Sequence, residues 1–299
     1  MSSQSIALVT GAEMAKPDPE THYLVAALHD LGIAPEVLPW PAAVDWGCFP
    51  LVVVRTPWDY FRRRDEFLAW AQRVAGLTRF ENPVEVLEWN SHKGYLAGLE
   101  RVGIPTVPTL WLDQGCADAA ERVAACGWER VVVKPAISIG SIGALCASSA
   151  APACQRHADD LVRNGDVLVQ PYLPSIAEEG EVSLVFFGGR YSHALRKRPR
   201  PGDFRVQDLY GGTVAHCEPG PALQDLAVAA LAVTPAPCTY ARVDCVIHEG
   251  RPVIMELELI EPELFLGAAP GAPQRFAAAL VERLGEIPLR GQDVAIRTE

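Results

Sequence analysis

Acidic and apolar residues alternate near the C-terminal end of the chain. Glu256 and Glu258 stand two apart in MELEL, and Asp244 lies in the preceding stretch RVDCV. Because residues two apart in a strand share a face, the two glutamates point the same way, and an even-to-even hairpin register would add Asp244. Two carboxylates about 4 Å apart repel by roughly 4 kcal/mol at an effective dielectric of about 20. Such oxygen ligands suit Mg²⁺, although the same spacing also fits a solvated acidic strand face.

Lysine is scarce, and one of the four lysines ends a buried strand pattern. Lys134 closes VVVKP and is followed by AISIGSIG. Glycine lets such a loop approach a ligand closely and leaves backbone N–H groups free, which suits phosphate oxygens. The lysine precedes the glycines, so the segment is not a P-loop. An ordinary Gly-Ser turn has the same composition and remains the alternative.

Two further stretches could contact a ligand. VLVQPYL (167–173) reads as a buried strand stopped by Pro171, and its unpaired backbone groups could hydrogen-bond an adenine edge or simply mark a strand end. RKRPRPGDFR (196–205) is rich in arginine within an acidic chain. Arginine binds carboxylates and phosphates bidentately, so this stretch is either an anion clamp or a solvated basic loop.

The elements that must position these residues follow from hydrophobic periodicity. Strand patterns at 5–11, 34–40 and 49–60 with a helix pattern at 20–32 predict a βαβ unit and a parallel sheet. Residues 90–105 read as a helix capped by Asn90 or Ser91, with Leu96 and Leu99 on its apolar face. The later part alternates as strands, with a hairpin at Gly188-Gly189. Helices are also predicted at 64–76, 222–231 and 272–285.

Composition narrows the class of protein. The chain has 299 residues and a net charge of −11, which argues against non-specific nucleic-acid binding. The eight cysteines form no C-x-x-C pair, so neither zinc nor disulfides are expected. We see no signal peptide and no run of about 20 apolar residues. These features predict a cytoplasmic protein with a small-molecule substrate and no membrane partner, and they leave open whether it forms a homo-oligomer.

The order of these motifs resembles the ATP-grasp superfamily, most closely its glutathione-synthetase-like branch. A Lys-Pro strand, a glycine loop, a Q-x-Y-L-P hinge, an R-x-P…R…GG loop and an acidic hairpin follow one another over roughly residues 85–265. The resemblance implies an α/β ATP-grasp fold that uses ATP and Mg²⁺. Its expected parts are a βαβ pre-ATP-grasp domain (1–88), a central lid subdomain (89–168) and a C-terminal α+β subdomain with the metal site (169–299).

The resemblance also implies roles for individual residues. Nucleotide phosphates fall to Lys93 and Lys134, the lid loop to Ser138, Gly140 and Ser141, adenine to Gln170, Tyr172 and Leu173, and ribose to Glu181. The magnesium ligands would be Asp244, Glu256 and Glu258. The acyl phosphate falls to Arg205, with Lys134 and Arg198 as further catalytic cations, and Gly211 and Gly212 would line the acceptor site. One departure is Glu258, because the family pattern E-x-N usually ends in Asn.

Blocks outside the general superfamily pattern point to a narrower group. RTPWDY (55–60), with Arg55, Asp59 and Tyr60, suits a small zwitterionic substrate, although Trp58 and Tyr60 would equally fit a core. Together with GDFRVQDLYGG and ELELIEPELF, this block resembles cyclo-ligases that form D-cycloserine from O-ureido-D-serine. The resemblance implies an amino-acid-like substrate and ring closure. An intermolecular carboxylate–amine ligase and a non-catalytic ATP-binding regulator share the nucleotide motifs, and no general base stands out.

Overall fold

The N-terminal part of the computed structural model, which describes residues 5–12 and 18–285, is built on a parallel sheet. Its strands follow the order β2-β1-β3-β4. The predicted βαβ unit is present, and the third strand is shorter than the predicted 49–60 because Pro57 follows it. The elements are β1 (Ser5–Thr10), α1 (Thr21–Asp30), β2 (Ala34–Pro39), β3 (Leu51–Thr56), α2 (Arg64–Ala75) and β4 (Arg79–Glu81).

Two short helices replace the single helix predicted over 90–105. They are α3 (Val84–Asn90) and α4 (Tyr95–Arg101). Asn90 therefore ends α3 instead of capping the next helix, and its side chain bonds Leu257 O at 2.9 Å and Leu259 N at 3.0 Å. The predicted apolar face is confirmed, because Leu96 and Leu99 are buried. The break between the helices forms the turn that carries Lys93, which is buried.

The central sheet is antiparallel and has the order β5-β8-β6-β7. Alternate valines on one of its faces, such as Val131 and Val133, pack under α5 and α6. The other face carries Lys134 and Gln170, because Lys134 pairs with Leu168 and Val132 with Gln170. The elements are β5 (Leu110–Leu112), α5 (Ala119–Ala124), β6 (Arg130–Pro135), β7 (Leu145–Ser148), α6 (Pro152–Val162) and β8 (Val167–Pro171).

The third sheet is also antiparallel, in the order β11-β10-β9-β12-β13. Its apolar face includes Leu184 and Val243 and packs against Ala227 and Ala230 of α8. The predicted hairpin at Gly188-Gly189 joins β9 to β10, and both glycines have positive φ, as a tight hairpin turn requires. The elements are α7 (Ser175–Glu178), β9 (Glu181–Phe187), β10 (Arg190–Arg198), β11 (Thr213–Cys217), α8 (Pro221–Leu231), β12 (Tyr240–His248), β13 (Arg251–Glu258) and α9 (Ala272–Gly285).

The sheets show where one predicted domain boundary needs correction. The boundary between residues 168 and 169 falls inside β8, which pairs with β5 and β6 along its length. Pro171 ends that strand, so the change of sheet comes after it. Within residues 5–12 and 18–285, the helices are too short or too polar to cross a bilayer.

Candidate active site

The acids singled out in the sequence lie on one face of the third sheet. The β12–β13 register pairs Asp244 with Glu256, and the β9–β12 register pairs Asp244 with Ser183. Cross-strand partners share a face, so Asp244 joins the two glutamates. The β9–β10 register places Glu181 opposite Lys197 on the same face. This charged face carries Glu181, Lys197, Arg242, Asp244, Glu256 and Glu258.

Asp244 is the most enclosed of the acids. It accepts hydrogen bonds from Ser183 Oγ at 2.6 Å, from Arg242 Nε at 3.0 Å and from Arg242 Nη2 at 2.9 Å. Lys197 Nζ lies 3.1 Å from Asp244 Oδ2 and 2.5 Å from Glu181 Oε1. Burial alone would raise the pKa of Asp244, but Arg242 and Lys197 outweigh it and lower the pKa. Asp244 is therefore ionised and held in place at the centre of the charged face.

Glu256 and Glu258 have different environments although they stand two residues apart. Glu256 Oε1 lies 3.1 Å from Lys93 Nζ, and Lys93 with Lys134 lowers the pKa of Glu256 against the effect of burial. Glu258 pairs with Arg242. Burial nevertheless raises the pKa of Glu258 to about 7. Arg242 acts to lower this pKa, and the negative charges of Asp244 and Glu256 add to the rise. This end of the face favours an additional cation.

The two predicted phosphate lysines face these acids. Lys93 is buried in the turn before α4, and its ammonium donates to Ser138 O at 2.7 Å while pairing with Glu256. The ammonium group of Lys134 has no hydrogen bond or ion pair among the described residues. Burial lowers the pKa of Lys134, and Glu256 partly counteracts this effect. An ammonium group in this position is available for an anionic ligand.

The glycine loop after β6 lies against the loop that precedes β11. Ser141 Oγ lies 3.2 Å from Gln207 Oε1, and Tyr210 OH donates to Gly140 O at 3.3 Å. Gly140 and Ser141 both have positive φ, a strained conformation for serine. Ser138 contributes its carbonyl group to Lys93. The predicted lid loop and the predicted substrate loop thus contact each other.

The predicted hinge lies at the end of β8. Gln170 is buried and donates to Thr109 Oγ1 at 2.9 Å. The guanidinium group of Arg130 stacks 4.1 Å from the Tyr172 ring centroid, and Leu173 packs in an apolar cluster with Val246. A cavity of about 210 Å³ opens beside Arg130, Tyr172 and residues 199–203. These groups form a flat, partly apolar wall at the point where two sheets meet.

In the basic stretch 196–205, the cation that faces the acids is not the predicted one. Strand alternation directs Lys197 to the charged face, whereas Arg198 is exposed on the opposite side of β10. The placement of Arg198 therefore does not support its predicted role as a catalytic cation, and Lys197 is the residue of this stretch that lies among the acids. Arg205 forms a two-point contact with Asp203, at 3.0 and 2.9 Å, and stacks 3.7 Å from the Tyr210 ring. In this arrangement Arg205 is bound within its own loop.

The two glycines that follow this loop, Gly211 and Gly212, are needed for the shape of the turn. Gly211 has a φ of +80°, and its N–H donates to Asp208 O at 2.7 Å. A side chain on Gly212 would meet Val206 O at 2.1 Å, which is far too close. Both glycines are required by the turn itself, and a contact with the acceptor substrate stays a prediction.

The three predicted residues of RTPWDY separate in the structure. Arg55 is 1% exposed, pairs with Glu20 at 2.9 Å, and lies between the rings of Tyr240 and Phe276. Asp59 is buried and accepts hydrogen bonds from Trp40 Nε1 and Ala12 N. These contacts give Arg55 and Asp59 a structural role. Tyr60 is buried in an apolar cluster, with its ring centroid 5.2 Å from that of Phe67. Burial and then the charges of Glu261, Glu256 and Glu258 raise the pKa of its hydroxyl.

The chain is similar to known proteins over nearly its whole length. The cycloserine biosynthesis protein DcsG of Streptomyces lavendulae is 37% identical over 93% of this chain and 98% of its own length. The chain belongs to the DcsG family. The family model for the D-cycloserine synthetase DcsG N-terminal domain matches residues 6–82. A crystal structure of D-cycloserine synthetase DcsG superposes with a TM-score of 0.85 at 34% identity, covering 94% of this chain and 99% of that chain.

More distant structures share only the fold with this DcsG-family chain. D-alanine–D-alanine ligase from Bacillus anthracis matches with a TM-score of 0.69 at 14% identity, over 93% of this chain and 96% of that chain. The ATP-grasp ligase PsnB matches with a TM-score of 0.63 at 17% identity, over 95% and 100% of the two chains. The predicted ATP-grasp fold and the resemblance to D-cycloserine-forming ligases are confirmed.

The charged face of this DcsG-family chain fits a magnesium ion by donor chemistry. Asp244, Glu256 and Glu258 supply the hard oxygen ligands that Mg²⁺ prefers, and they lie on one face of adjacent strands. In the described ranges, no three His, Cys, Asp or Glu side chains are already arranged around a metal position. The physical reason is that Lys93, Lys197 and Arg242 pair with these carboxylates.

Sequence reasoning missed two cations of the site. Arg242 stands two residues before Asp244 and pairs with both Asp244 and Glu258. Lys197 lies in the basic stretch 196–205, next to Arg198, the predicted catalytic cation. Two-residue alternation in RVD indicates that Arg242 shares a strand face with Asp244. In RKR, the same alternation places Lys197 on the face opposite to Arg196 and Arg198.

Proposed function

We propose that this chain is an ATP-dependent, ADP-forming cyclo-ligase that converts O-ureido-D-serine to D-cycloserine. The substrate carboxylate would attack the γ-phosphorus of ATP, releasing ADP and forming an acyl phosphate. The nitrogen next to the ureido oxygen would then attack the acyl carbon and expel phosphate. Hydrolysis of the carbamoyl group, which consumes one water, would release CO₂ and ammonia.

The observation that carries this proposal is the contact between Lys93 and Glu256. It joins the turn before α4 to the acidic strand β13 across 3.1 Å, with the unpaired ammonium of Lys134 on the neighbouring sheet. Membership of the DcsG family over nearly the whole chain supports the same reaction. An ATP-binding regulator would share these cations and acids, and turnover on a carboxylate substrate distinguishes the two functions.

The cations of the site would act on the phosphoryl group. Lys93 and Lys134 would hold the nucleotide phosphates, and Arg242 and Lys197 would offset charge that develops during transfer. Asp244, Glu256 and Glu258 would hold Mg²⁺, which supplies charge neutralisation on the phosphate oxygens. Glu181 would bind the ribose, and Gln170, Tyr172 and Leu173 would border the adenine. The Arg205 guanidinium would act after leaving Asp203.

Ring closure asks less of the protein than joining two substrates. A well-oriented intramolecular attack gains roughly 7–11 kcal/mol over a bimolecular one. The protein must fold one substrate so that its nitrogen faces the acyl carbon, and it must keep water from the acyl phosphate. The contacts of Ser141 with Gln207 and of Tyr210 with Gly140 support closure of the two loops over that site.

The test incubates the purified chain with ATP, Mg²⁺ and O-ureido-D-serine as the sole amino acid. We expect equimolar ADP, phosphate and D-cycloserine, measured by coupled assay and mass spectrometry. ADP formation that needs a second amine would support an intermolecular ligase instead. ATP binding without turnover on any carboxylate would support the regulator.

A further inference from the structure

The segment that follows β13, residues 260–266, is irregular but firmly held. Glu20 accepts the backbone N–H groups of Leu264 at 2.7 Å and of Leu266 at 3.0 Å. Side chains from distant parts of the chain bind its carbonyl groups. These contacts are Tyr240 OH to Ile260 O at 3.0 Å, Trp58 Nε1 to Glu261 O at 3.1 Å, Arg242 Nη1 to Glu263 O at 3.0 Å and His193 Nε2 to Leu264 O at 2.9 Å.

Within this segment, the carboxylate of Glu261 differs from the other acids of the site. Glu181, Asp244, Glu256 and Glu258 each lie within 4 Å of a lysine or arginine nitrogen. Glu261 is half-buried, and it has no such partner and no side-chain hydrogen bond among residues 5–12 and 18–285. Burial and then the charge of Glu258 raise the pKa of Glu261 to about 8, while Lys93 acts to lower it. Arg242, which pairs with Asp244 and Glu258, also donates to Glu263 O at 3.0 Å. The segment that carries Glu261 is therefore held against the charged face, and its carboxyl group has no cationic partner among the described residues.

RTPWDY and ELELIEPELF, two of the three blocks outside the general ATP-grasp pattern, meet at Glu261. Trp58 fixes its backbone carbonyl group, as described. Glu261 is also the acid with the largest charge effect on the buried Tyr60 hydroxyl. Since a half-buried carboxyl group without a cationic partner is costly to ionise, this arrangement suits a ligand that brings its own positive charge.

We propose that Glu261 binds the α-ammonium group of the amino-acid substrate, with Tyr60 forming the adjacent wall. This inference rests on the proposed function, because it assigns one end of the same substrate. The ammonium nitrogen and the carboxyl carbon of an α-amino acid are bonded to the same atom, the α-carbon. The acid that receives the ammonium must therefore lie beside the cations that receive the carboxylate, and Arg242 binds the segment of Glu261 through Glu263 O at 3.0 Å.

The proposal is tested by comparing two ligands that differ in the amine alone. O-ureido-D-serine and its desamino analogue, 3-(ureidooxy)propanoate, are titrated into the chain with ADP and Mg²⁺ by calorimetry, and their turnover is measured with ATP. We expect the wild-type chain to bind the amine-bearing ligand about 10- to 100-fold more tightly, the range for a hydrogen bond to a charged group. Glu261→Gln should lose this preference and raise the substrate KM by a similar factor.

Controls separate this role from others. The KM for ATP and the Mg²⁺ requirement should not change in Glu261→Gln, and Glu261→Asp should keep part of the preference. Glu282→Gln, an exposed acid on α9 paired with Arg190, should behave as wild type. A raised Mg²⁺ requirement in Glu261→Gln with the ligand preference intact would make Glu261 a metal ligand and overturn the proposal.

The two proposals fail in different ways. If the wild-type chain binds the amine-bearing ligand with the expected preference but forms no product, the reaction is wrong and the assignment of Glu261 stands. If product forms and Glu261→Gln keeps the full preference for the amine, the assignment alone is wrong. If neither ligand binds the wild-type chain, both proposals are wrong.

Discussion

Lys93 Nζ lies 3.1 Å from Glu256 Oε1, although 163 positions separate them along the chain (256 − 93). Lys93 precedes α4, and Glu256 lies near the end of β13. The contact brings a phosphate-type cation and a metal-type acid to one place. The pair is also partly enclosed, with the Lys93 side chain 9% and the Glu256 side chain 27% exposed. Substitution at either position should therefore affect both turnover and stability.

Glu256→Gln should lower kcat by at least about 100-fold, because it removes a charged oxygen from the proposed phosphate and metal site. The free energy of unfolding should fall by about 1–3 kcal/mol, since Lys93 loses its partner but keeps Ser138 O. Steady-state kinetics and urea unfolding measure the two effects. Glu218→Gln, an exposed acid, is the control. Unchanged turnover in Glu256→Gln would remove Glu256 from the metal site.

Lys134→Met should separate catalysis from stability. The Lys134 ammonium is desolvated without an ion pair among the described residues, so its removal should leave the free energy of unfolding unchanged or slightly higher. Turnover should fall by about 100-fold or more if the ammonium binds phosphate. Calorimetric titration with ADP and kcat measurements check both parts. A variant that folds less stably but keeps ADP affinity would show that Lys134 has a structural role.

Glu20→Gln should destabilise the chain strongly. Glu20 pairs with Arg55 and accepts the N–H groups of Leu264 and Leu266, all in the core. Arg55 bonds Glu20 through Nη2, and its buried Nε and Nη1 have no hydrogen-bond partner in the part of the chain that the structure describes. Breaking a buried ion pair from one side costs about 3–5 kcal/mol. Thermal unfolding should show this loss, and the double variant Glu20→Gln/Arg55→Met should recover part of it. Equal stability of the wild-type and Glu20→Gln chains would contradict the buried pairing.

His193 should make stability depend on pH. Burial lowers the pKa of His193 from 6.5 to about 4, and because Leu264 O can only accept, His193 Nε2 donates to it as part of a neutral ring. The unfolded chain binds a proton near pH 6.5 and the folded chain does not, so this contribution is complete above that pH and lost as pH falls toward 4.

The size of the His193 effect follows from the shift. Between pH 7.5 and pH 5 the contribution should change by about 2 kcal/mol, since one pKa unit corresponds to about 1.4 kcal/mol. Urea unfolding of wild-type and His193→Gln chains at both pH values measures it. The stability difference between the two chains should shrink by that amount at pH 5. A difference that does not vary with pH would mean that His193 titrates normally in the folded chain.

Some of the site followed from periodicity alone. Two-residue alternation placed Glu256 and Glu258 on one face before any fold was known, and it left the position of Asp244 to the hairpin register. The same rule applied to β10 shows that Lys197 and Arg198 cannot both face the acids, and the register with β9, which pairs Lys197 with Glu181, selects Lys197. The error came from reading the basic stretch as a loop, although β10 extends through Arg198.

What the sequence determined by itself is local: strand faces, the hairpin at Gly188-Gly189, the order of the motifs and, through that order, the ATP-grasp family. Only the tertiary structure decided which charges meet. Arg55 and Tyr60 stand five residues apart in one motif, yet Arg55 is enclosed by Glu20 and two aromatic rings while Tyr60 packs against Phe67 in a different cluster. Glu261 gains its significance in the same way, from Trp58, Lys93 and Arg242. Such contacts join residues far apart in the chain, so local spacing carries no information about them.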